Sequence, residues 1–199
     1  IGVFNGVFSF LTVLVVSFYL VAEQKGMLEL VRSIVPTGHQ EFAMSLIAKI
    51  QARMGLWVLG QFILSCCIFV FTFLGLSVLG VQYALFLALL AGLFEVVPYI
   101  GPFLSAVPAI FFAFIQNPPL AIAVVILYVI VQKLEGYVLV PKVMEKTVGT
   151  SPLLVLLSLL IGFKLAGVIG LLLAVPLVGA ATLIITQLSA NQNSADSAN

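Results

Sequence analysis

At 199 residues, 63% of them hydrophobic and only 8% charged, with mean hydropathy +1.30, the chain lacks the charge to cover a water-facing surface. Lipid is the solvent in which such a chain is stable, so the composition predicts an integral membrane protein. A formal net charge of +1 supplies no basic field, which sets nucleic acid aside as a partner and leaves the lipid bilayer.

The first apolar run, residues 1–22, predicts a transmembrane helix and stops at Glu23-Gln24-Lys25-Gly26. It opens at Ile1 without a charged n-region, so it reads as a membrane span with further residues expected ahead of it. Residues 23–54 form a polar linker carrying Glu29, Arg32, His39, Glu41, Lys49 and Arg53. Thr37 and Gln40 fit a capping box. Beyond them Phe42, Leu46, Ile47, Ile50 and Met54 recur at helical spacing, the pattern of an amphipathic helix that is either a connector or membrane-sensing. A second span, 55–79, ends at Gly80, a left-handed stop. Cys66 and Cys67 are adjacent inside it, which fits packed or lipid-facing thiols and no disulfide framework.

From Tyr83 the pattern changes. Residues 83–97 are apolar but short, Pro98-Tyr99-Ile100-Gly101-Pro102 breaks them, and 103–115 is short again. Each piece of roughly 14 residues reaches only about 20 Å, less than a bilayer core, so a re-entrant helical hairpin over about 83–115 is predicted. At its tip Pro98 and Pro102 lack donors and Gly101 offers a free φ, so Gly101→Ala is expected to cost only about 1 kcal/mol if φ is negative. Asn117 and Pro118 suit the cap and first position of the next helix, a span over 119–140 ending at Pro141. Ser151-Pro152 opens a second broken region, about 153–188, interrupted at Lys164-Leu165-Ala166-Gly167 and carrying Pro176. The tail, 189–199, is Asn-, Ser- and Ala-rich and reads as disordered.

The two broken regions align at one offset: Phe94-Glu95 on Phe163-Lys164, Ile100-Gly101 on Ile169-Gly170, and Leu104 on Leu173. Apolar sequences also align by coincidence. A true repeat would be inverted, because an odd number of crossings separates the copies, and inverted broken helices point to a transporter binding site. The predicted fold class is thus all-α integral membrane: multi-pass helices with two broken or re-entrant hairpins forming an inverted repeat. Lys25, Arg32, Lys49 and Arg53 in one loop, and Lys133, Lys142 and Lys146 around another, fall on one side, which the positive-inside rule makes the cytoplasm. The carboxyl terminus is expected there too.

Pro98-Tyr99-Ile100-Gly101-Pro102 with Phe103 to Pro108, the Glu135 to Met144 block, and Thr150 to Leu153 through Gly167 to Pro176 resemble the autoinducer-2 exporter family of multi-pass permeases, over about 55–188. The resemblance implies the carboxyl-terminal part of a bacterial or archaeal secondary transporter of the cell membrane. Some members export the furanone-type quorum-sensing signal autoinducer-2, and others are assigned to sodium–proton antiport. Lys164 stands where the family usually has a small or apolar residue, and Glu95 at a position that varies.

One histidine, His39, in a polar linker builds neither a metal cluster nor a triad, and no glycine-rich phosphate loop follows a strand. The chain therefore reads as no enzyme and as needing no cofactor. Three functions remain: export of a small polar metabolite such as autoinducer-2, sodium/proton antiport using Glu95 or Glu135, and a non-transporting scaffold. A homo-oligomer is compatible with each. The residues expected along the substrate pathway or at its gate are Glu95, Pro98, Tyr99, Gly101, Pro102, Glu135, Pro141, Lys164, Gly167, Gly170 and Pro176. Intramembrane charge and helix-breaking backbone are costly in lipid unless they face a partner or a cavity. Glu95 is open to pairing with Lys164 or to a headgroup position, and Gln132, Lys133 and Glu135 to an ion pair or a gate.

Overall fold

The computed structural model describes Ser33 and residues 35–144 and 152–196, and every regular element among them is helical. The predicted span 1–22, the linker up to Arg32 and the 145–151 connection lie outside the described residues. Contacts divide the chain into two units, Ile1–Lys49 and Ile50–Asn199. In the first, Thr37 lies inside a 3-10 turn, Thr37–His39, and the Gln40 amide donates to the Val35 carbonyl at 3.1 Å.

Helix α1, Gln40–Val78, takes the predicted amphipathic stretch and the following span into one helix. It ends as its glycine dictates. Gly80 adopts φ +69°, Val81 N–H donates to the Leu76 carbonyl at 3.0 Å, and Gly80 N–H donates to Ser77 at 3.1 Å, a Schellman closure. Helices α2, Ala84–Phe94, and α3, Ile100–Gln116, then fold back on each other. Their outer ends are tied: Gln116 accepts from the Gln82 N–H at 2.9 Å and donates to the Gly80 carbonyl at 2.8 Å.

Helix α4, Pro118–Leu134, starts with proline in its first turn, where a missing N–H costs nothing. Asn117 is its N-cap with extended backbone, but its side chain makes no cap bond; its carbonyl accepts the Leu120 N–H instead. The expected stop at Pro141 does not occur. The helix passes through a π-turn at Glu135–Leu139 into α5, Val140–Met144. Proline would lose one helical bond and clash with the carbonyl four residues back; the wider turn, with Val140 N–H donating to Glu135, accommodates it.

The last helix, α6, Pro152–Asp196, is two helices across a reversal, with Ala166 at φ −139° and Gly167 at φ 58°, ψ −134°. Arm α6a (152–165) and arm α6b (168–196) pack through Val155 and Leu159 against Leu171, Ala174 and Val175. The helix continues to Asp196, through most of the tail that composition assigned to disorder. Extending a formed helix costs far less than nucleating one, so the helix runs on although asparagine, serine and aspartate are poor helix formers.

The main core gathers Leu76, Leu87, Ala109, Ala113, Ala121 and Val124 from α1 to α4. Alanines at the α3–α4 contact let the backbones approach closely, the usual device where lipid supplies no hydrophobic drive. Gln40–Val78, Pro118–Val143 and Leu153–Gln187 are long and apolar enough to cross a membrane, although the reversal in α6 means the third is not one straight rod. α2 and α3 are shorter apolar helices. The surface is inverted relative to a water-soluble fold: Phe103, Tyr137, Val78 and Leu165 are exposed, whereas Gln61, Thr72, Glu95, Ser105, Glu135 and Ser158 are buried. Polar groups inside and large apolar side chains outside are the signature of a lipid solvent.

Candidate functional site

The site grows from the break between α2 and α3. The predicted tip at Pro98–Pro102 is displaced: Ile100, Gly101 and Pro102 already belong to α3, and the break is Glu95–Tyr99. Short local bonds close it, from Val97 N–H to Phe94 at 3.0 Å, Ile100 N–H to Pro98 at 2.8 Å and Gly101 N–H to Val97 at 2.9 Å. Two prolines near a helix start are tolerated because the first amides have no helical acceptor.

Gly101 does not supply the unusual φ; that falls on Tyr99, at φ 65° and ψ −39°. A side chain in that region costs on the order of 1–3 kcal/mol and persists only where its surroundings over-determine it. Gly101 serves instead as the point of closest approach. A Cβ there would lie 2.1 Å from the Phe94 carbonyl oxygen and 3.0 Å from the Glu95 nitrogen, so the expected cheap alanine substitution is corrected.

Glu95, the C-cap of α2, is turned inward and only 1% exposed. It is therefore neither a headgroup carboxylate nor a partner of Lys164, which is exposed one turn before the α6 reversal. Its neighbour is the Glu135 carboxyl, within hydrogen-bond reach. Glu135 is 6% exposed and opens the π-turn; Gln132 Nε2 donates to its Oε2 at 2.9 Å. Of the two alternatives left for Glu135, an ion pair or a gate, the ion pair does not form among the described residues: an amide and a second carboxyl face it, while Lys133 lies 5.6 Å from the centre of the Tyr137 ring. From α1, Gln61 Nε2 donates to the Glu95 carbonyl and clamps the break. Glu95 Oε2 is buried and meets no donor among the described residues.

Beside Glu135 a cavity of about 10 Å³, roughly the room of one water, is lined by Thr72, Pro102, Ser105, Tyr128 and Gln132 among others. Ser105 Oγ donates to the Pro102 carbonyl at 3.0 Å and Tyr128 OH to the Ser105 carbonyl at 3.3 Å. Gln61 lines a separate groove of about 730 Å³ between α1 and α2, where it and Ser65 are polar groups among Trp57, Phe62, Phe69 and Leu93. Ser65 Oγ is buried without a partner among the described residues.

The remaining expected residues scatter. Pro98 and Tyr99 are in the break, Pro102 reaches the small cavity, and Pro141 lies exposed past the π-turn. Gly167 provides the second reversal. Gly170 packs so tightly on Gly162 that a Cβ would fall 1.8 Å from the Gly162 carbonyl oxygen. Pro176 is buried in α6b. The α6 arms meet the first break through Val97 and Ile100.

Sequence reasoning missed Gln61, Thr72, Ser105 and Tyr128. The signal was present in two of the helices. Gln61 and Thr72 lie on the face of α1 that also buries Leu64, Ile68 and Leu76, and Tyr128, Gln132 and Glu135 recur at helical spacing. Lone polar residues on one face of an apolar helix point inward.

The model of the family described as AI-2E family transporter matches residues 2–190. YueF of Bacillus subtilis strain 168, provisionally named a transport protein, is 32% identical over 168 residues, 83% of this chain and 45% of its own length. YrrI of the same organism, with the same provisional naming, is 31% identical over 80% of this chain and 45% of its own length. YhhT of Escherichia coli K12, also provisionally a transport protein, is 42% identical over 54% of this chain and 31% of its own length. The chain spans about half the length of the first two relatives, and no solved structure matches it significantly. With its signature blocks, broken helices and family match over nearly its whole length, the chain belongs to the AI-2E transporter family.

Proposed function

We propose that this chain forms the solute-handling part of a secondary permease that exports a small polar metabolite such as autoinducer-2. The observation that carries the reading is the Glu95–Tyr99 break, held among buried Gln61, Glu95 and Glu135 in an otherwise apolar fold. Unwound backbone at membrane depth is tolerated only where protein or a cavity receives it, and broken helices of this kind bind transported solutes. The adjoining groove, apolar with Gln61 and Ser65 among its lining, has the size and mixed chemistry of a small-molecule site.

In this reading the two hairpins are re-entrant and inverted. Supporting it, the outer ends of α2 and α3 are bonded together, so that hairpin returns to the side it left, and α4 then crosses before α6 turns back. Gly101 and Gly170, matched by the sequence offset, each press on a carbonyl of the preceding arm. The carboxyl terminus is assigned to the cytoplasm with the Lys142–Lys146 connection, because a reversing α6 brings its two ends to one side and the lysines favour the cytoplasm. Single cysteines at Glu145 and Ser194, with Cys66 and Cys67 replaced, are expected to resist an impermeant thiol reagent in intact cells and to react after permeabilisation. Labelling of either from outside defeats the assignment.

The transport test uses the full-length protein. Cells overexpressing it are expected to release more autoinducer-2, and cells lacking it to retain more, at equal growth. Equal distribution in both strains would remove this substrate. A second reading, sodium/proton antiport, is favoured by the buried carboxyl pair. It predicts sodium-driven dissipation of a pH gradient in everted vesicles, and no such response excludes it.

A further inference from the structure

Two carboxyl groups within hydrogen-bond reach have no donor to offer each other unless one of them carries a proton. Glu95 and Glu135 stand in that relation, and both are more than nine-tenths buried. Glu95 Oε2 is an orphan: nothing among the described residues donates to it. Glu135 has one donor, Gln132, and Gln61 serves the Glu95 backbone carbonyl, not its carboxylate. Among the described residues no lysine, arginine or histidine forms an ion pair with either carboxyl.

We propose that the Glu95–Glu135 pair is a binding site for a single proton, and that occupancy of this site locks the α2–α3 break against the π-turn of the α4–α5 helix. With the proton bound, one carboxyl donates to the other and only one negative charge is left to bury. When the proton leaves, two carboxylates face each other in a low-dielectric interior, where like charges repel strongly. The proton itself is the only species gained or lost.

The locations give the site its leverage. Glu95 sits on the break between α2 and α3, and Glu135 is the first residue of the π-turn. These are irregular backbone segments with few regular bonds to resist movement, and π-turns recur at functional positions. Polar groups surround the pair from three helices, Gln61 and Thr72 from α1, Ser105 from α3 and Tyr128 and Gln132 from α4, while α6 meets the break with apolar side chains. The tyrosine hydroxyl is committed to the Ser105 carbonyl, so the carboxyl pair is left as the group able to take up the charge. The one-water cavity against Glu135 provides a first step for the proton's exit.

The site rests on geometry; its role in coupling rests on the transporter reading, and two measurements separate them. Infrared difference spectra of the full-length protein in lipid nanodiscs, taken across a pH step, read the carboxylic C=O stretch directly. A buried carboxylic band is expected in the native protein and is lost in both Glu95→Gln and Glu135→Gln, because one proton is shared. Persistence of the band in either variant overturns the site, as does its removal by sodium at constant pH. Should a glutamine variant fail to fold, Glu95→Asp and Glu135→Asp must shift the band; an unshifted band in both has the same overturning force. In proteoliposomes with labelled autoinducer-2, the ratio of flux under an imposed pH gradient to equilibrium exchange, measured on the same preparation, is expected to exceed one in the native protein and to fall to one in the glutamine variants, whatever their exchange rate. A native-like gradient response in either variant overturns the coupling. Absence of any exchange in the native protein would sink the autoinducer-2 reading alone, leaving the infrared result to decide the proton site.

Discussion

Gly101→Ala and Gly170→Ala are each expected to leave little folded protein, with a cost of about 3 kcal/mol or more. A Cβ on Gly101 would stand 2.1 Å from the Phe94 carbonyl oxygen, and one on Gly170 would stand 1.8 Å from that of Gly162. Real Cβ atoms do not come so close, so the two arms of each hairpin must part. The obstacle is backbone and cannot swing aside as a side-chain end does. Phe94 is further held because its carbonyl accepts the Val97 N–H. Parting the arms exposes unpaired amides of the break to an apolar medium that offers them nothing. Gly179 is the control: it is helical and meets nothing within 4 Å, so alanine there is expected to be neutral or to stabilise by up to about 1 kcal/mol. The monodisperse fraction and melting temperature of the full-length variants in detergent distinguish these outcomes. Native yield of either tight-glycine variant would show that the arms are not packed this closely.

Leu87→Ala carries the next largest expected effect, about 2–4 kcal/mol, whereas Leu93→Ala, on the same helix, should change stability by less than about 0.5 kcal/mol. Leu87 is fully buried among Leu76, Ala109, Ala113, Ala121 and Val124; Leu93 is 65% exposed. The argument differs from that for a water-soluble core. Lipid tails are as apolar as leucine, so transfer from water contributes little to the difference, and what is lost at Leu87 is dispersion contact around a cavity that rigid helices cannot close. At Leu93, which projects into the open groove, little packing is lost on truncation. Thermal unfolding of both variants in the same detergent or nanodisc is the measurement. Equal shifts in the two would mean that α2 is not packed against α1, α3 and α4 as described.

Much of this architecture was legible because each signal is local. The Gly80 stop follows from the freedom of glycine at positive φ, and the helix start at Pro118 from proline's missing N–H. The interruption near Gly167 needed only a glycine within an apolar run. Placing the first break at Pro98–Pro102 erred by treating the prolines as its centre. Proline is at home in the first turn of a helix, so Pro102 marks the beginning of α3, and the reversal falls on the residues before it. Pro141 misled in the same way, because a π-turn widened the helix around it.

The carboxyl pair shows where local reading stops. Glu95 and Glu135 were recognisable one at a time as ionisable groups that lipid makes costly. Their meeting depends on α2 ending one residue before Glu95 and on a π-turn beginning at Glu135, and neither is written in the residues on its own. Composition alone determined the solvent, because 8% charge cannot clothe a chain in water; hydrophobic run lengths and breakers determined that helices would be long, short or interrupted. Only the tertiary structure decided which polar groups share a cavity, that Lys164 faces outward while Glu95 faces Glu135, and that Gly101 is needed for contact and not for its φ. The reason is physical: solvent preference and backbone propensity act within a few residues, whereas contacts between side chains about 40 positions apart are fixed only when helices pack.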